Sequence, residues 1–220
     1  MWQQLFDSLN TKDFMIMAVA EESRGAEHAR QWIEQANAKY WCLIDTEHRV
    51  ADLYGMVNVP QAVWIDAAGR IVRPAETAGS TDHWRRRDPA TGTISAADQT
   101  ARLAARQLYL DAVKNWVLTD QHALDADVAR RKQPRITPEI AEAQAHFRLG
   151  VWLRRAGRST EAQRHLDEAS RLHPDSWNIW RQAADLDEVG KASGPEFWAR
   201  VQALGDRAYY QQPDLDGLLS

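Results

Sequence analysis

The sequence contains a single cysteine, Cys42, among 220 residues. One cysteine cannot form a disulfide within the chain, and this usage is typical of proteins from reducing compartments. No stretch approaches the roughly 18–20 uncharged apolar residues that a membrane-spanning helix needs. The N-terminus also lacks the basic segment, the apolar run and the small-residue cleavage site of a signal peptide. These absences predict a cytoplasmic protein with no membrane partner.

A large excess of charge of one sign is also missing. The net charge is −4, which gives no reason to expect a nucleic acid or an anionic surface as a partner. Two short basic runs occur at residues 85–87 and 130–132. Acidic residues flank each run, and no set of aromatic residues accompanies them for base stacking. We interpret both runs as solvated linker surface.

The sequence lacks the residue patterns of common chemical sites. It has no nucleophile elbow, no phosphate-binding loop and no His/Cys cluster with metal-ligand spacing. Seven histidines occur, but no two of them are three or four positions apart. A metal-binding pair on one helix is therefore not predicted, and we expect neither a metal nor a cofactor.

The first 79 residues alternate between helix and strand patterns. Apolar spacing predicts helices over residues 2–9 and 25–38 and over a short segment that carries Val50, Leu53 and Tyr54, with Asp45 or Thr46 as its cap. Apolar runs predict strands over residues 13–20, 40–44 and 61–65, followed by a tight turn at 66–69 and a hairpin partner at 70–73. Strands separated by helices and closed by a hairpin are typical of an α/β fold.

The pattern changes after Ala78 to a polar, turn-rich segment, where we place a domain boundary. Ser95 followed by Asp98 predicts the start of a long helix, and Thr137 before Pro138 predicts another. Helical patterns then continue to about residue 210, with breaks at Gly157, Pro174 and Gly194. We predict an α/β domain over residues 1–79, a linker and long helix over 80–137, and a helical domain over 138–220.

Residues 54–72, YGMVNVPQAVWIDAAGRIV, resemble the second half of a TlpA/ResA-like thioredoxin-fold oxidoreductase of the redoxin family. Members of that family have a helix end, a Val-Pro or Leu-Pro step, an apolar strand, a turn and a last strand in this order. Upstream, residues 14–19, 26–36 and 43–45 also follow the family's order. The resemblance covers roughly residues 1–79 and implies a thioredoxin-like fold. It further implies a cis Val59–Pro60 bond beside which the substrate chain pairs.

The chain departs from that family at its catalytic motif. The resemblance implies a W-C-x-x-C turn at a helix N-terminus, where a thiol pKa is lowered, yet no such motif is present. Residues 2–9 resemble the tail of that helix, so the motif and the strand before it are expected upstream of Met1. Backbone groups left buried without that central strand cost ~1–3 kcal/mol each. We therefore expect an incomplete fold, first strand and catalytic turn absent, of low stability and without catalytic residues.

Cys42 lies in the second predicted strand, between Trp41 and Leu43. Since both neighbours are apolar, we expect this strand to be covered on both faces. Cys42 is then a small buried hydrophobe and not a reactive thiol.

Residues 143–176 resemble the 34-residue tetratricopeptide repeat. The family's preferred residues are found at Leu149, Gly150, Leu153, Gly157, Ala162, Leu166, Ala169 and Pro174. Only His146 departs, at a position that usually holds tryptophan. The resemblance implies two closely packed helices that end at Pro174. A following pair of helical patterns, over residues 176–189 and 195–210, resembles a degenerate second repeat or a cap.

Three functional hypotheses are compatible with these patterns. The chain is a redoxin-type thiol–disulfide oxidoreductase whose catalytic segment lies outside this sequence, a non-catalytic protein that binds a partner, or a structural fragment without activity. A helical cap that packs on the α/β domain explains the repeat as well as partner recognition does. We favour a redoxin-family protein, ancestrally a thiol–disulfide oxidoreductase, that is non-catalytic in this form. The alternative is a protein–protein interaction module that uses the repeat helices to bind a protein partner.

Overall fold

The computed structural model describes residues 1–9, 12–88, 91–185 and 192–215. In chain order the elements are α1 (Trp2–Leu9), β1 (Met17–Ala20), α2 (Ala26–Ala36), β2 (Trp41–Ile44), α3 (Arg49–Tyr54), β3 (Gln61–Ile65), β4 (Ile71–Thr77), a 3₁₀ helix (Asp82–Arg86), α4 (Ala96–Thr119), α5 (Ala126–Lys132), α6 (Pro138–Arg155), α7 (Ser159–Leu172), α8 (Trp177–Ala183) and α9 (Pro195–Gln202). The chain thus combines small sheets with a larger helical part.

Contacts divide the chain into two compact units. The first unit combines Met1–Ile16, Pro60–Lys132 and the segment from Asp206 onward, and the second combines Met17–Val59 with Gln133–Gly205. Each unit is therefore built from segments that are far apart in sequence. The domain limits predicted at residues 79 and 137 stay a prediction.

Local signals predicted most element positions correctly. The limits of α1 and β3 are those predicted. The hydroxyl of Ser95 accepts a hydrogen bond from the Asp98 amide (3.0 Å), which starts α4 at the predicted place. The hydroxyl of Thr137 does the same for the Ile140 amide (3.3 Å) at the start of α6. These caps satisfy amide groups that have no partner within their helices.

Some predicted limits are wrong. The basic run at residues 130–132 is the last turn of α5 and not a linker, a position where positive side chains interact favourably with the helix dipole. The helix α9 ends at Gln202, earlier than the predicted residue 210. The helix predicted over 176–189 ends at Ala183 as α8, and residues 186–189 lie outside the described residues.

The four described strands form two separate two-stranded sheets, one in each unit. In the second unit, β1 pairs in parallel with β2, and Met17 lies opposite Trp41. In the first unit, β3 pairs with β4 as an antiparallel hairpin, and Gln61 lies opposite Thr77. The order of the strands and the β3–β4 hairpin are those predicted, but no described strand joins the two pairs into one sheet. A thioredoxin fold is therefore not confirmed.

One face of the β1–β2 pair is exposed, which corrects the expectation that β2 is covered on both faces. Trp41 is 62% exposed, and Met17 beside it and Leu43 are also exposed. Cys42, whose side chain alternates with theirs, is half-buried. Its thiol lies 3.8 Å from the carbonyl oxygen of Tyr40. Alternation of apolar residues alone does not show which face of a strand is covered by other elements.

The core of the first unit is aromatic. Trp64 of β3 stacks on Trp116 of α4, with ring centroids 5.1 Å apart. Tyr109, also from α4, meets Trp64 edge to face at 5.9 Å. Leu5 and Leu9 of α1 complete this buried cluster. The long helix α4 thus joins the N-terminal helix to the hairpin.

A polar network is buried against these rings. The Trp64 indole N–H donates to the Tyr109 hydroxyl (2.9 Å), which donates to Glu76 (3.2 Å). Glu76 accepts three hydrogen bonds from the guanidinium of Arg73 (2.9, 3.1 and 2.9 Å), and Arg73 is only 2% exposed. Arg73 also donates to the carbonyl oxygens of His122 (2.8 Å) and Asp214 (3.1 Å). Burial, reinforced by the charge of Glu76, raises the pKa of Tyr109 well above its usual value, so its hydroxyl keeps its proton.

We expect Tyr109→Phe to lower the free energy of unfolding by about 1–3 kcal/mol, because it leaves the Trp64 N–H buried without its acceptor. Urea unfolding followed by tryptophan fluorescence measures the change. Tyr54→Phe is the matched control, since the Tyr54 hydroxyl makes no hydrogen bond with the described residues, and its effect should stay within about 0.5 kcal/mol. Equal stability of the Tyr109→Phe variant and the wild type would contradict this role of the network.

Candidate functional site

The helices α6 and α7 form an antiparallel hairpin in the second unit. A tight turn joins them at Gly157, whose φ of +77° favours glycine. The Arg158 amide donates to the carbonyl oxygen of Leu153 (2.9 Å), which closes the end of α6. Two helices joined by such a short connection must pack side by side.

Five of the eight residues of the predicted repeat signature are buried on α6 or α7, Gly157 lies in the turn between these helices, and Leu149 and Pro174 are exposed. Ala162, Leu166 and Ala169 are fully buried on α7, and Gly150 and Leu153 are buried on α6. Pro174 follows the end of α7, and its carbonyl oxygen accepts a hydrogen bond from Arg200. Leu149, by contrast, is 42% exposed. Its side chain lies on a different face of α6.

Gly150 sets the distance between the two helices. A Cβ atom at this position would lie 2.8 Å from Cγ of Leu166 and 3.2 Å from the carbonyl oxygen of Ala162. Real side chains do not approach so closely, so only glycine allows α6 to rest on Leu166. The sequence interpretation of Gly150 as a close-approach residue agrees with this geometry.

A second apolar face of α6 is exposed to solvent. Its members follow the spacing i, i+4, i+7, i+11, and we call them the α6 stripe: Ala145, Leu149 and Trp152 of α6, and Ala156, which directly follows the helix as its C-cap. Trp152 is 58% exposed, which is unusual for so large an aromatic ring. The buried face of the same helix carries Phe147 and Val151. The helix therefore has two apolar faces, and the hairpin covers one of them.

Two arginines beside the stripe hold α6 in place. Arg148 donates to the carboxylate of Asp52 on α3 (2.6 Å). Arg155 donates to the carbonyl oxygens of Thr46 (2.6 Å) and Ser23 (3.2 Å). Both guanidinium groups thus bind other segments of the second unit, so the stripe lies on a helix that is fixed at several points.

A histidine pair across the hairpin escaped the sequence analysis. Nδ1 of His146 on α6 lies 2.8 Å from Nδ1 of His165 on α7, so one nitrogen donates and the other accepts. A search for pairs on one helix cannot find residues 19 positions apart. The one indication in the sequence was that His146 occupies a position where the repeat usually has tryptophan. No group of three potential metal ligands occurs among the described residues.

The Val59–Pro60 peptide bond joins segments of different units. Val59 is the last residue of a segment of the second unit, and Pro60 is the first residue of a segment of the first unit. The carbonyl oxygen of Pro60 accepts a hydrogen bond from the Ala78 amide (3.1 Å), next to the β3–β4 hairpin. Val59 is 42% exposed. Substrate pairing at this step and its cis bond stay predictions.

Comparison with known protein families supports the helical resemblance. The family model for the tetratricopeptide repeat matches residues 143–186, a stretch that contains every predicted signature position. No thioredoxin-type family model matches. No curated protein and no solved structure matches the chain. Across the part of the chain that the structure describes, none of the helices is both long and apolar enough to span a membrane.

We expect Gly150→Ala to destabilise the chain by about 1–3 kcal/mol, the usual cost of overpacking, although alanine favours helices by about 0.5–1 kcal/mol. Urea unfolding followed by far-UV circular dichroism measures the change. In a Leu166→Ala background the overlap with the leucine is removed, so there Gly150→Ala should be neutral or stabilising. The same loss of stability in both backgrounds would show that the close approach to Leu166 is not the cause.

Proposed function

We propose that this chain is a protein-interaction module and that the α6 stripe is its contact surface. The observation that carries the proposal is the exposed position of Trp152 and Leu149 on one face of a helix whose other face is buried. Tetratricopeptide units bury their apolar faces by stacking on neighbours. A repeat unit with an exposed apolar face is therefore suited to a helical neighbour from another molecule.

The chemistry of the stripe supports this proposal. Tryptophan is among the residues that contribute most to binding at interfaces, because it buries a large rigid surface at small entropic cost. Alanines on either side of Leu149 and Trp152 leave room for a partner helix to approach closely. The geometry suits an amphipathic helix with apolar residues at i, i+3 or i+4 and i+7.

Selection from a displayed library of amphipathic helical peptides tests the proposal. We expect the purified chain to enrich binding peptides, and we expect Trp152→Ala to weaken their binding by about tenfold or more, as for a central interface residue. Leu53→Ala is the matched control, because Leu53 is an exposed apolar residue of the same unit that lies on α3.

Isothermal titration of the selected peptides with each variant gives the dissociation constants. Binding that Trp152→Ala and Leu53→Ala weaken equally would show that the stripe is not the contact surface. Failure to enrich any peptide over the Trp152→Ala protein would have the same meaning.

A second candidate is the redoxin-type reading in its non-catalytic form. It is supported by the parallel pair β1–β2 around a crossover helix, followed by the antiparallel hairpin β3–β4. The order of these elements is the order that the family resemblance implies for residues 1–79. A dithiol cycle needs an attacking thiolate and a second thiol to release the mixed disulfide, whereas residues 1–220 contain Cys42 alone.

We therefore expect purified residues 1–220 to reduce disulfides no faster than the Cys42→Ser variant. Reduction of insulin by dithiothreitol, followed by turbidity, compares the two proteins with a dithiothreitol blank. A rate of insulin reduction by the wild type clearly above that of Cys42→Ser would contradict the non-catalytic interpretation.

A further inference from the structure

The outer edge of β1 in the second unit is open. Among the described strands, β1 pairs with β2 alone. In a parallel pair, the backbone groups of alternate residues face the partner strand, and those of the residues between them face away. The carbonyl oxygen of Ala20 accepts a hydrogen bond from the amide of Asp45, which directly follows β2 (2.8 Å). Ala20 and Ala18 therefore face β2, and the backbone N–H and C=O groups of Met17 and Val19 point to the outer edge.

The backbone groups of Met17 and Val19 have no hydrogen-bond partner in the part of the chain that the structure describes. β1 is four residues long and belongs to a sheet of two strands. Two strands alone are of marginal stability, and a sheet with an apolar face generally needs three or more. A row of unpaired N–H and C=O groups at a sheet edge is a template for a further strand.

Apolar side chains lie beside this open edge. Met17 is 63% exposed, and Trp41 and Leu43, on the same face of the strand pair, are exposed as well. A strand added at β1 would place its own side chains next to that of Met17, because neighbouring strands pack their side chains in pairs on each face. A helix satisfies its backbone groups internally and would leave those of β1 unpaired. The edge therefore suits an extended segment of chain.

The sequence of this edge contains nothing that repels an identical strand. Residues 14–20, FMIMAVA, include no charged residue and no proline. Edge strands that stay unpaired commonly carry lysine or proline, which prevent pairing between copies of one protein. Antiparallel pairing of two identical edges presents the same residues from both sides, so it closes on a two-fold axis. A second copy of this chain therefore fits the edge.

The outer edge of β2 is less suited to the same contact. Its uncharged run is shorter, residues 40–44, and lies between Lys39 and Asp45. The carbonyl oxygen of Tyr40, which points to this edge, is also contacted by the Cys42 thiol (3.8 Å). Of the two strands, β1 thus offers the longer uncharged edge.

We propose that two copies of this chain associate through antiparallel pairing of their β1 strands, which joins the two sheets into one of four strands in the order β2–β1–β1–β2. The N–H and C=O groups of Met17 and Val19 in one copy bond to those of Val19 and Met17 in the other. One short strand buries less than the roughly 1,200 Å² of a standard interface, so we expect a weak association with a dissociation constant of about 0.1–1 mM. This contact lies on β1 and does not depend on the proposed function of the α6 stripe.

Sedimentation equilibrium of the purified chain measures the association. We expect the average mass to rise from that of a monomer towards that of a dimer between about 10 µM and about 1 mM protein. Met17→Lys should raise the dissociation constant by about tenfold or more, because like charges from the two copies then face each other across the pair. Leu53→Lys is the matched control, since it adds the same charge at an apolar residue of α3 that is 76% exposed.

Hydrogen–deuterium exchange followed by NMR identifies the edge that pairs. In dilute wild-type protein, the amides of Met17 and Val19 should exchange faster than those of Ala18 and Ala20, which face β2. At about 1 mM protein, exchange at Met17 and Val19 should slow by about twofold or more, because these amides become hydrogen-bonded. This measurement uses no variant, so it decides even if Met17→Lys does not fold.

A chain that stays monomeric at about 1 mM would overturn the proposal, as would association that Met17→Lys and Leu53→Lys weaken equally. Slowed exchange at the amides of Cys42 and Ile44 instead would also overturn it, because that result places the contact at the outer edge of β2. Trp152→Ala should leave the association unchanged. Loss of association in that variant would assign the contact to the α6 stripe and reject pairing through β1.

Discussion

The approach of α6 to Leu166 at Gly150 is the contact on which the α6–α7 hairpin of the second unit depends. Because no Cβ lies between the two helices, Leu166 and Ala162 bury completely and α6 has a fixed orientation about its axis. That orientation turns Phe147 inward and Trp152 outward. It also places His146 within hydrogen-bond distance of His165. A rotation of α6 about its axis would therefore change the surroundings of Phe147, Trp152 and His146 at the same time.

One helix therefore serves several purposes at once. Its inner face builds the hairpin core, the ring of Phe147 also meets the ring of His48 edge to face at 5.0 Å, and its outer stripe remains exposed. Exposed apolar patches on a stable chain commonly mark sites of interaction. Arg148 and Arg155 bind α6 to Asp52 and to backbone carbonyl groups, so a partner at the stripe would meet a surface that is already ordered.

The two units differ in how their buried polar side chains are hydrogen-bonded. In the first unit, the buried guanidinium of Arg73 donates to Glu76 and to the carbonyl oxygens of His122 and Asp214. In the second unit, His48 and Glu21 are equally buried but incompletely satisfied. Buried groups without close hydrogen-bond partners cost stability, so the Glu21–His48 pair is a weaker polar contact than the Arg73 network.

The sequence by itself determined the features that depend on neighbouring residues. Ser95 and Thr137 start their helices because each hydroxyl reaches an amide three residues on, and Gly157 ends α6 because the turn needs a positive φ. The repeat spacing likewise predicted where α6 and α7 meet. The apolar patterns of residues 1–79 predicted the order of the elements, but not which faces of β1 and β2 are covered.

Only the tertiary structure decided which polar side chains form pairs and which apolar side chains are exposed. His146 and His165, like Glu21 and His48, are brought together by packing across intervening elements, and no local spacing encodes such distances. Periodicity places the apolar residues Leu149 and Trp152 on one face of α6, yet a helix with two apolar faces can bury either face. Burial depends on which other segments reach a face, and those segments come from distant parts of the chain, as the division of both units shows.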